Sequence, residues 1–215
     1  MHPLEIRAQS PFAEIDYLRL KSILSEYTQP RNKIRTLLKN HSLIRVKKGL
    51  YVFGEKVAQG LYCKEHLANL IYGPSAISRE YALSFYGLIP ERVEEITNIT
   101  PKRNKIFDTP VGRFSYQYIP IALYPYGITQ TVIEGRKILI ATPEKALCDI
   151  LYLSSSSLNT EKELDEYLAE DLRIDIDELL KFDVKLLRQL DSQYKNKNIN
   201  LLINTLGRKD NARRH

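Results

Sequence analysis

Between Pro30 and Phe53 the apolar period of the chain changes once, and that change restricts the segment to a helix followed by a hairpin. Ile34, Leu37, Leu38 and His41 recur at i, i+3, i+4 and i+7, one face of a helix of about three turns. Pro30 suits its first turn, where a missing N–H costs nothing. Asn32, Arg35, Thr36 and Lys39 fall on the opposite, polar face. After His41 the period becomes two. Leu43, Arg45 and Lys47 alternate with Ile44 and Val46, Lys48-Gly49 makes a tight turn, and Leu50 to Phe53 returns as a second strand.

The same stretch holds seven basic residues and no acid: Arg31, Lys33, Arg35, Lys39, Arg45, Lys47 and Lys48. A helix with a polar, basic face followed by a basic-tipped hairpin predicts a winged helix-turn-helix. Such a helix fits the DNA major groove, where Arg, Lys, Asn and Thr bond to base edges. Asn32 and Arg35 are the expected base contacts. Arg31 and Lys33, beside the helix N-terminus, are expected on phosphate, as are Lys47 and Lys48 at the hairpin tip. Thr36, Lys39 and Arg45 complete the expected DNA-binding set. The alternative is a solvated face without a ligand, but ordinary exposed faces mix both signs of charge.

At 215 residues the chain has room for one large domain or two small ones. Its formal net charge of +6 is unevenly spread. Residues 1–56 carry eleven basic and five acidic groups, residues 57–160 ten and nine, and residues 161–206 seven and eleven. A basic head on a neutral body and an acidic helical segment predicts a nucleic-acid reader joined to a unit with another partner. No apolar run reaches the length of a membrane span, and the first ten residues lack the apolar core of a signal peptide, so a cytoplasmic location is expected. Cys63 and Cys148 lack CxxC spacing or a clustered His; neither zinc, another metal nor a disulfide is expected.

The expected fold class is α+β: residues 1–56 as the winged-helix domain, residues 57–206 as a mixed, mostly antiparallel sheet ending in helices, and residues 207–215 as a disordered basic tail. Residues 1–11 read as an arm, because Pro3 and Pro11 oppose regular structure. One helix is expected from Phe12 to Tyr27, with Asp16 at its start, so two helices precede the wing instead of the usual three. Gly54 to Gly60 reads as the boundary. Helices follow at Tyr62 to Ile71 and at Arg79 to Tyr86, the second capped by Ser78 and closed by Gly87. Strands are expected at 95–100, 105–109, 113–119, 128–133 and 136–141. Thr142-Pro143-Glu144 marks a helix start, and further helices are expected at 161–172, 176–193 and 199–206.

IRVKKGLYVFGEK, LANLIYGPSAISREYALSFYGLIPERV, TPVGRFSYQYIP and IATPEKALCDILYL together resemble the AbiEi-type antitoxins of abortive-infection, type IV toxin–antitoxin systems. The resemblance covers about residues 12 to 172, and the order of the blocks is more specific than any one of them. It implies an N-terminal winged helix that binds inverted repeats in double-stranded promoter DNA and represses its own operon. It also implies a C-terminal domain that counters a nucleotidyltransferase toxin encoded beside it. No residue-level motif for the antitoxin surface carries over. The acidic stretch from Glu161 to Asp183 could face a basic toxin surface, but a solubilising exterior is the commoner role of such a run. Two copies on a repeated site are expected, since one winged helix buries little surface.

Two other classes compete. One is a stand-alone winged-helix regulator whose second domain senses a ligand or dimerises. The other is a metal-dependent nuclease using Asp108, Glu134 and Lys137, or Glu144 with Lys145. Glu134 and Lys137 are separated by a turn and do not share a strand face. Gly-rich phosphate loops, GxSxG and HExxH are missing, and the four histidines are isolated, so neither enzymatic activity nor a cofactor is expected. Tyr116, Tyr118, Tyr124 and Tyr126 form an aromatic cluster that reads as core or interface before base stacking.

Overall fold

The computed structural model describes residues 1–91 and 93–213. The N-terminal part runs α1 (Pro3–Ala8), β1 (Glu14–Asp16), α2 (Tyr17–Ile23), α3 (Pro30–Lys39), β2 (Leu43–Lys47), β3 (Leu50–Phe53) and α4 (Glu55–Ala58). Two expectations fail here. The arm is a helix: Pro3 sits at its first turn, and His2 and Glu5 form a reciprocal capping box at its start. The single helix expected from Phe12 to Tyr27 is a short strand followed by α2, with the Asp16 carboxylate accepting from Arg19 N–H at 2.9 Å as its cap. Three helices therefore precede the hairpin. Ile6 of α1, Leu20 and Ile23 of α2 and Ile34 and Leu37 of α3 share one small core.

Strands β1, β3 and β2 form a three-stranded antiparallel sheet with β3 in the middle. All four side chains of β3 are buried, and they alternate between two cores. Tyr51 and Phe53 face the small helical core, while Leu50 and Val52 belong to the large core of the rest of the chain. The hairpin thus contributes to both cores. Val57 and Ala58 of α4, within the expected Gly54–Gly60 boundary stretch, pack in the small core. At Gly54 the chain passes so close to His41 that an added Cβ would lie 2.0 Å from the His41 carbonyl oxygen.

The second part contains α5 (Lys64–Ile71), β4 (Ala76–Ile77), α6 (Arg79–Phe85), β5 (Ile96–Thr100), β6 (Lys105–Thr109), β7 (Gly112–Tyr118), β8 (Ile128–Ile133), β9 (Arg136–Ala141) and α7 (Pro143–Leu153). Its six strands are ordered β6-β7-β5-β4-β9-β8. The five expected strands are present, and β4 is an addition: two residues long, it joins the β5–β7 half to the β8–β9 half. Pairs β4–β5, β6–β7 and β8–β9 are antiparallel, whereas β4–β9 and β5–β7 are parallel. Helix α7 starts as expected, with Thr142 Oγ1 accepting from Lys145 N–H and Pro143 in the first turn.

The C-terminal helices are α8 (Glu161–Glu166), continued by a π-helical turn at Tyr167–Asp171, then α9 (Ile176–Leu179), α10 (Val184–Tyr194) and α11 (Lys197–Arg213). Asp183 caps α10 by accepting from Lys185 and Leu186 N–H, which splits the helix expected over 176–193. The expected disordered tail is the last turns of α11 as far as Arg213. Its Arg208 and Lys209 pair with Glu161 and Asp165 of α8 at 3.1 and 2.8 Å, so part of the acidic run faces this chain's own terminus. His215 lies outside the described residues.

The two parts are tied by a buried ion pair. Glu14 of β1 accepts from Arg136 Nε at 2.5 Å and Nη2 at 3.1 Å, and His66 Nδ1 stands 2.9 Å from the same carboxylate. Arg136 also lies 4.7 Å from the Phe12 ring centroid and donates to Leu61 O at 3.2 Å. Burial raises the Glu14 pKa, but hydrogen bonds from His66 and Arg136 together outweigh it and hold the group below the ordinary 4.5. A depressed native pKa gives stability that is complete above that value and lost as pH falls through the native one. Glu14→Gln is therefore expected to cost about 2–3 kcal/mol at pH 7, by taking the buried carboxylate from Arg136 and leaving it only the exposed Glu134. Urea unfolding of both proteins across pH should show that gap shrinking below about pH 4.5; a gap independent of pH would contradict the assignment.

Candidate nucleic-acid interface

Helix α3 and the β2–β3 hairpin enclose an open groove lined by Tyr17, Arg31, Ile34, Arg35, Leu38, Arg45, Lys48, Gly49 and Tyr51. Ile34 and Leu38 floor it from the helix and Tyr51 from the central strand. Four cations rim it: Arg31 and Arg35, one turn apart on α3, Arg45 on β2, and Lys48 in the turn. All four are exposed, and among the described residues none has a carboxylate within ion-pairing distance. The turn is anchored from beneath, where Tyr17 N–H donates to the Gly49 carbonyl at 2.8 Å. Gly49 has φ +86°, a conformation that Gly adopts without the Cβ penalty.

Tyr17 belongs to this site, and no sequence pattern singled it out. Its phenol oxygen accepts from Arg31 Nε at 3.3 Å, and that hydrogen bond lowers its pKa. The contact also fixes which way Arg31 points. The signal was its place immediately after Asp16, at the first turn of α2.

The remaining expected DNA-binding residues divide. Asn32, Thr36 and Lys39 lie exposed on α3, at i, i+4 and i+7. The Asn32 amide donates to the Gln29 side chain, and Thr36 Oγ1 donates back to the Asn32 carbonyl at 3.1 Å. Lys33 faces elsewhere, its ammonium 5.3 Å from the Tyr27 ring centroid. Lys47 is displaced furthest. A β-bulge at Val46 sets Arg45 opposite Tyr51 and Lys47 opposite Leu50. The extra residue reverses the alternation, so Lys47 points with Leu50 toward the large core and donates to the Ile71 carbonyl. It does not stand at the hairpin tip beside Lys48.

The nuclease candidates do not converge. Asp108 is on β6 and Glu134 in the β8–β9 turn, at opposite edges of the six-stranded sheet. Asp108 stands 3.7 Å from Arg113, and Glu134 accepts from Arg136 at 2.9 Å. Lys137 is exposed on β9. Glu144 accepts from Asp183 N–H at 2.9 Å, the bond that seats α10 on α7. Lys145 is in a closed cluster: its ammonium donates to Asp149 Oδ1 at 2.6 Å and to Tyr194 OH, and Ser78 Oγ donates to Asp149 Oδ2 at 2.6 Å. Ser78, expected to cap α6, gives its hydroxyl to this cluster instead. Lys145, Asp149 and Ser78 have no exposed surface, so a substrate has no route to them. Of the tyrosines, Tyr116 is buried and donates to Ala68 O at 2.6 Å, and Tyr124 and Tyr126 pack against the large core; Tyr118 is exposed. Asp149→Ala is expected to cost about 3–5 kcal/mol by leaving the Lys145 ammonium buried without a counter-charge, with only the Tyr194 hydroxyl beside it. Asp108→Ala, at an exposed pair, should cost under about 1 kcal/mol. Urea denaturation of the two variants checks the contrast.

No protein-family model matches the chain, and no curated protein does. Among solved structures, the RV2827C protein from Mycobacterium tuberculosis is similar over 94% of this chain and 74% of its own, with a TM-score of 0.61 and 17% identity. At that identity the likeness shows a shared fold. A chain described as a candidate nucleotidyltransferase from H. pylori and JHP933 from Helicobacter pylori each match over 66% of this chain, covering 86% and 83% of their own. Their identities are 18% and 17%, and TM-scores of 0.30 and 0.29 carry no argument.

Proposed function

We propose that the protein binds duplex DNA, with residues 1–53 as a winged helix-turn-helix, α3 as its recognition helix and the β2–β3 hairpin as its wing. The observation that carries this reading is the groove rimmed by Arg31, Arg35, Arg45 and Lys48, four cations without acidic partners among the described residues. Charge left unpaired on a face is compensated by phosphate, and each contact releases condensed counterions. The order of three helices and a hairpin on a three-stranded sheet supports the same reading. Arg35 and Asn32 are assigned to base edges, with Thr36 and Lys39 beside them, and Arg31, Arg45 and Lys48 to phosphates.

The resemblance to AbiEi-type antitoxins extends the proposal: the DNA is the repeated operator of the protein's own promoter, and the second domain opposes a nucleotidyltransferase toxin encoded beside it. Co-expression with the neighbouring gene tests that half by growth. Rescue supports an antitoxin, and a harmless neighbour favours a stand-alone regulator.

For the DNA half, binding to the DNA immediately preceding the gene should be compared with binding to a scrambled duplex. Arg35→Ala and Asn32→Ala should each cost about 1–3 kcal/mol on the specific duplex and little on the scrambled one. Lys48→Ala should weaken both alike and lower the salt slope by about one. Equal losses on both duplexes for all three variants would remove the recognition-helix assignment.

A further inference from the structure

A second basic surface lies on the other side of the wing. The β5–β6 loop carries Lys102 and Arg103, and β6 opens on Lys105. The ammonium groups of Lys102 and Lys105 stand 5.4 and 5.7 Å from the Tyr72 ring centroid, and that of Lys105 lies 5.1 Å from Phe107. Lys102 also donates to Gly73 O at 2.5 Å. Lys47, turned here by the bulge, reaches the same corner from the wing through its bond to Ile71 O. The three lysines are held by carbonyls and ring faces, and among the described residues neither they nor Arg103 pairs with a carboxylate. Desolvation, with the charges of Lys102 and Lys105, makes Lys47 give up its proton more readily. Tyr72, Pro101, Asn104 and Tyr118 complete an open cleft around Lys102 and Arg103.

We propose that Lys47, Lys102, Arg103 and Lys105 around Tyr72 form a second phosphate-binding surface, which takes the sugar-phosphate backbone of the same duplex beyond the wing. The inference rests on the DNA-binding reading above. Two observations connect the surfaces. Lys47 and Lys48 are consecutive, one facing this corner and the other the α3 groove, so the two basic patches meet at the wing. The Tyr72 ring is attended by two ammonium groups, which leaves less of it for a stacked base and favours backbone over single-stranded contact. Crowded like charges without an acid gain from an anion that spans them.

The test uses the full-length protein and the DNA immediately preceding its gene, with Lys102→Gln/Lys105→Gln, the charge-keeping Lys102→Arg/Lys105→Arg, and Arg35→Ala as the control for the α3 groove. The glutamine pair is expected to bind roughly tenfold more weakly near physiological salt, with a salt slope lower by about two units. Its ratio of specific to scrambled binding should be unchanged, and its hydroxyl-radical footprint should shorten at one flank. The arginine pair should restore slope and footprint, and thermal unfolding should show all variants folded. An unchanged slope and footprint in the glutamine pair, while Arg35→Ala loses preference, overturns this inference and leaves the α3 interface standing. Loss of sequence preference in the glutamine pair overturns the backbone assignment. Silence of Arg35→Ala as well, or no binding by the parent protein, defeats the underlying reading and this inference with it.

Discussion

Strand β3 must be buried on both faces, and the arrangement of the whole chain follows from that requirement. Its four residues are all apolar, and the middle position of the sheet gives each alternate side chain a different core. A hairpin in this position is a wall between two bodies of protein. The α3 groove and the six-stranded sheet are therefore held in one geometry before any ligand arrives. A surface ordered in advance loses less entropy on association.

The ionic groups follow a consistent division. Where cations enter the interior they meet acids: Arg136 with Glu14, and Lys145 with Asp149. Removing water from such groups is costly, and a partner with good geometry is what makes the burial tolerable. Along α3, the wing and the β5–β6 loop the cations are left to water, carbonyls and rings. Acids are available elsewhere, and α8 uses two of them to fasten the end of α11. A protein that pairs its charges inside and in its last helix, yet leaves both sides of the hairpin region positive, has the charge distribution that the proposed binding of a polyanion requires.

Much of this was legible in the sequence where a local rule decides the outcome. Pro30 and the i, i+3, i+4 spacing set α3, the period of two set β2 and β3, and Thr142-Pro143 set the start of α7. Arg31, Arg35, Arg45 and Lys48 line one groove because α3 and the hairpin are adjacent in sequence and in space. Errors arose where a local signal had two meanings. Pro3 reads as a breaker or as a first-turn residue, and the capping box between His2 and Glu5 decides for the second. Asp16 marks a helix start in the sequence, but the strand before it owes its existence to pairing with β3. Lys47 was misplaced because a bulge is a property of two paired strands, and nothing within LIRVK announces the extra residue at Val46. Strand β4, two residues after the cis Gly73-Pro74 bond, is too short to carry a period. The second basic corner joins Lys47 to residues more than fifty positions away, a proximity that only the tertiary fold creates.

Amide hydrogen exchange of the full-length protein, free and saturated with the DNA preceding its gene, reads the central claim directly. The expected result is slowed exchange concentrated in Arg31–Lys39 and in the Lys47–Gly49 turn, with the buried α7 helix unchanged. Protection confined to the C-terminal helices, with Arg31–Lys39 exchanging as in the free protein, would contradict an interface built on α3 and the hairpin.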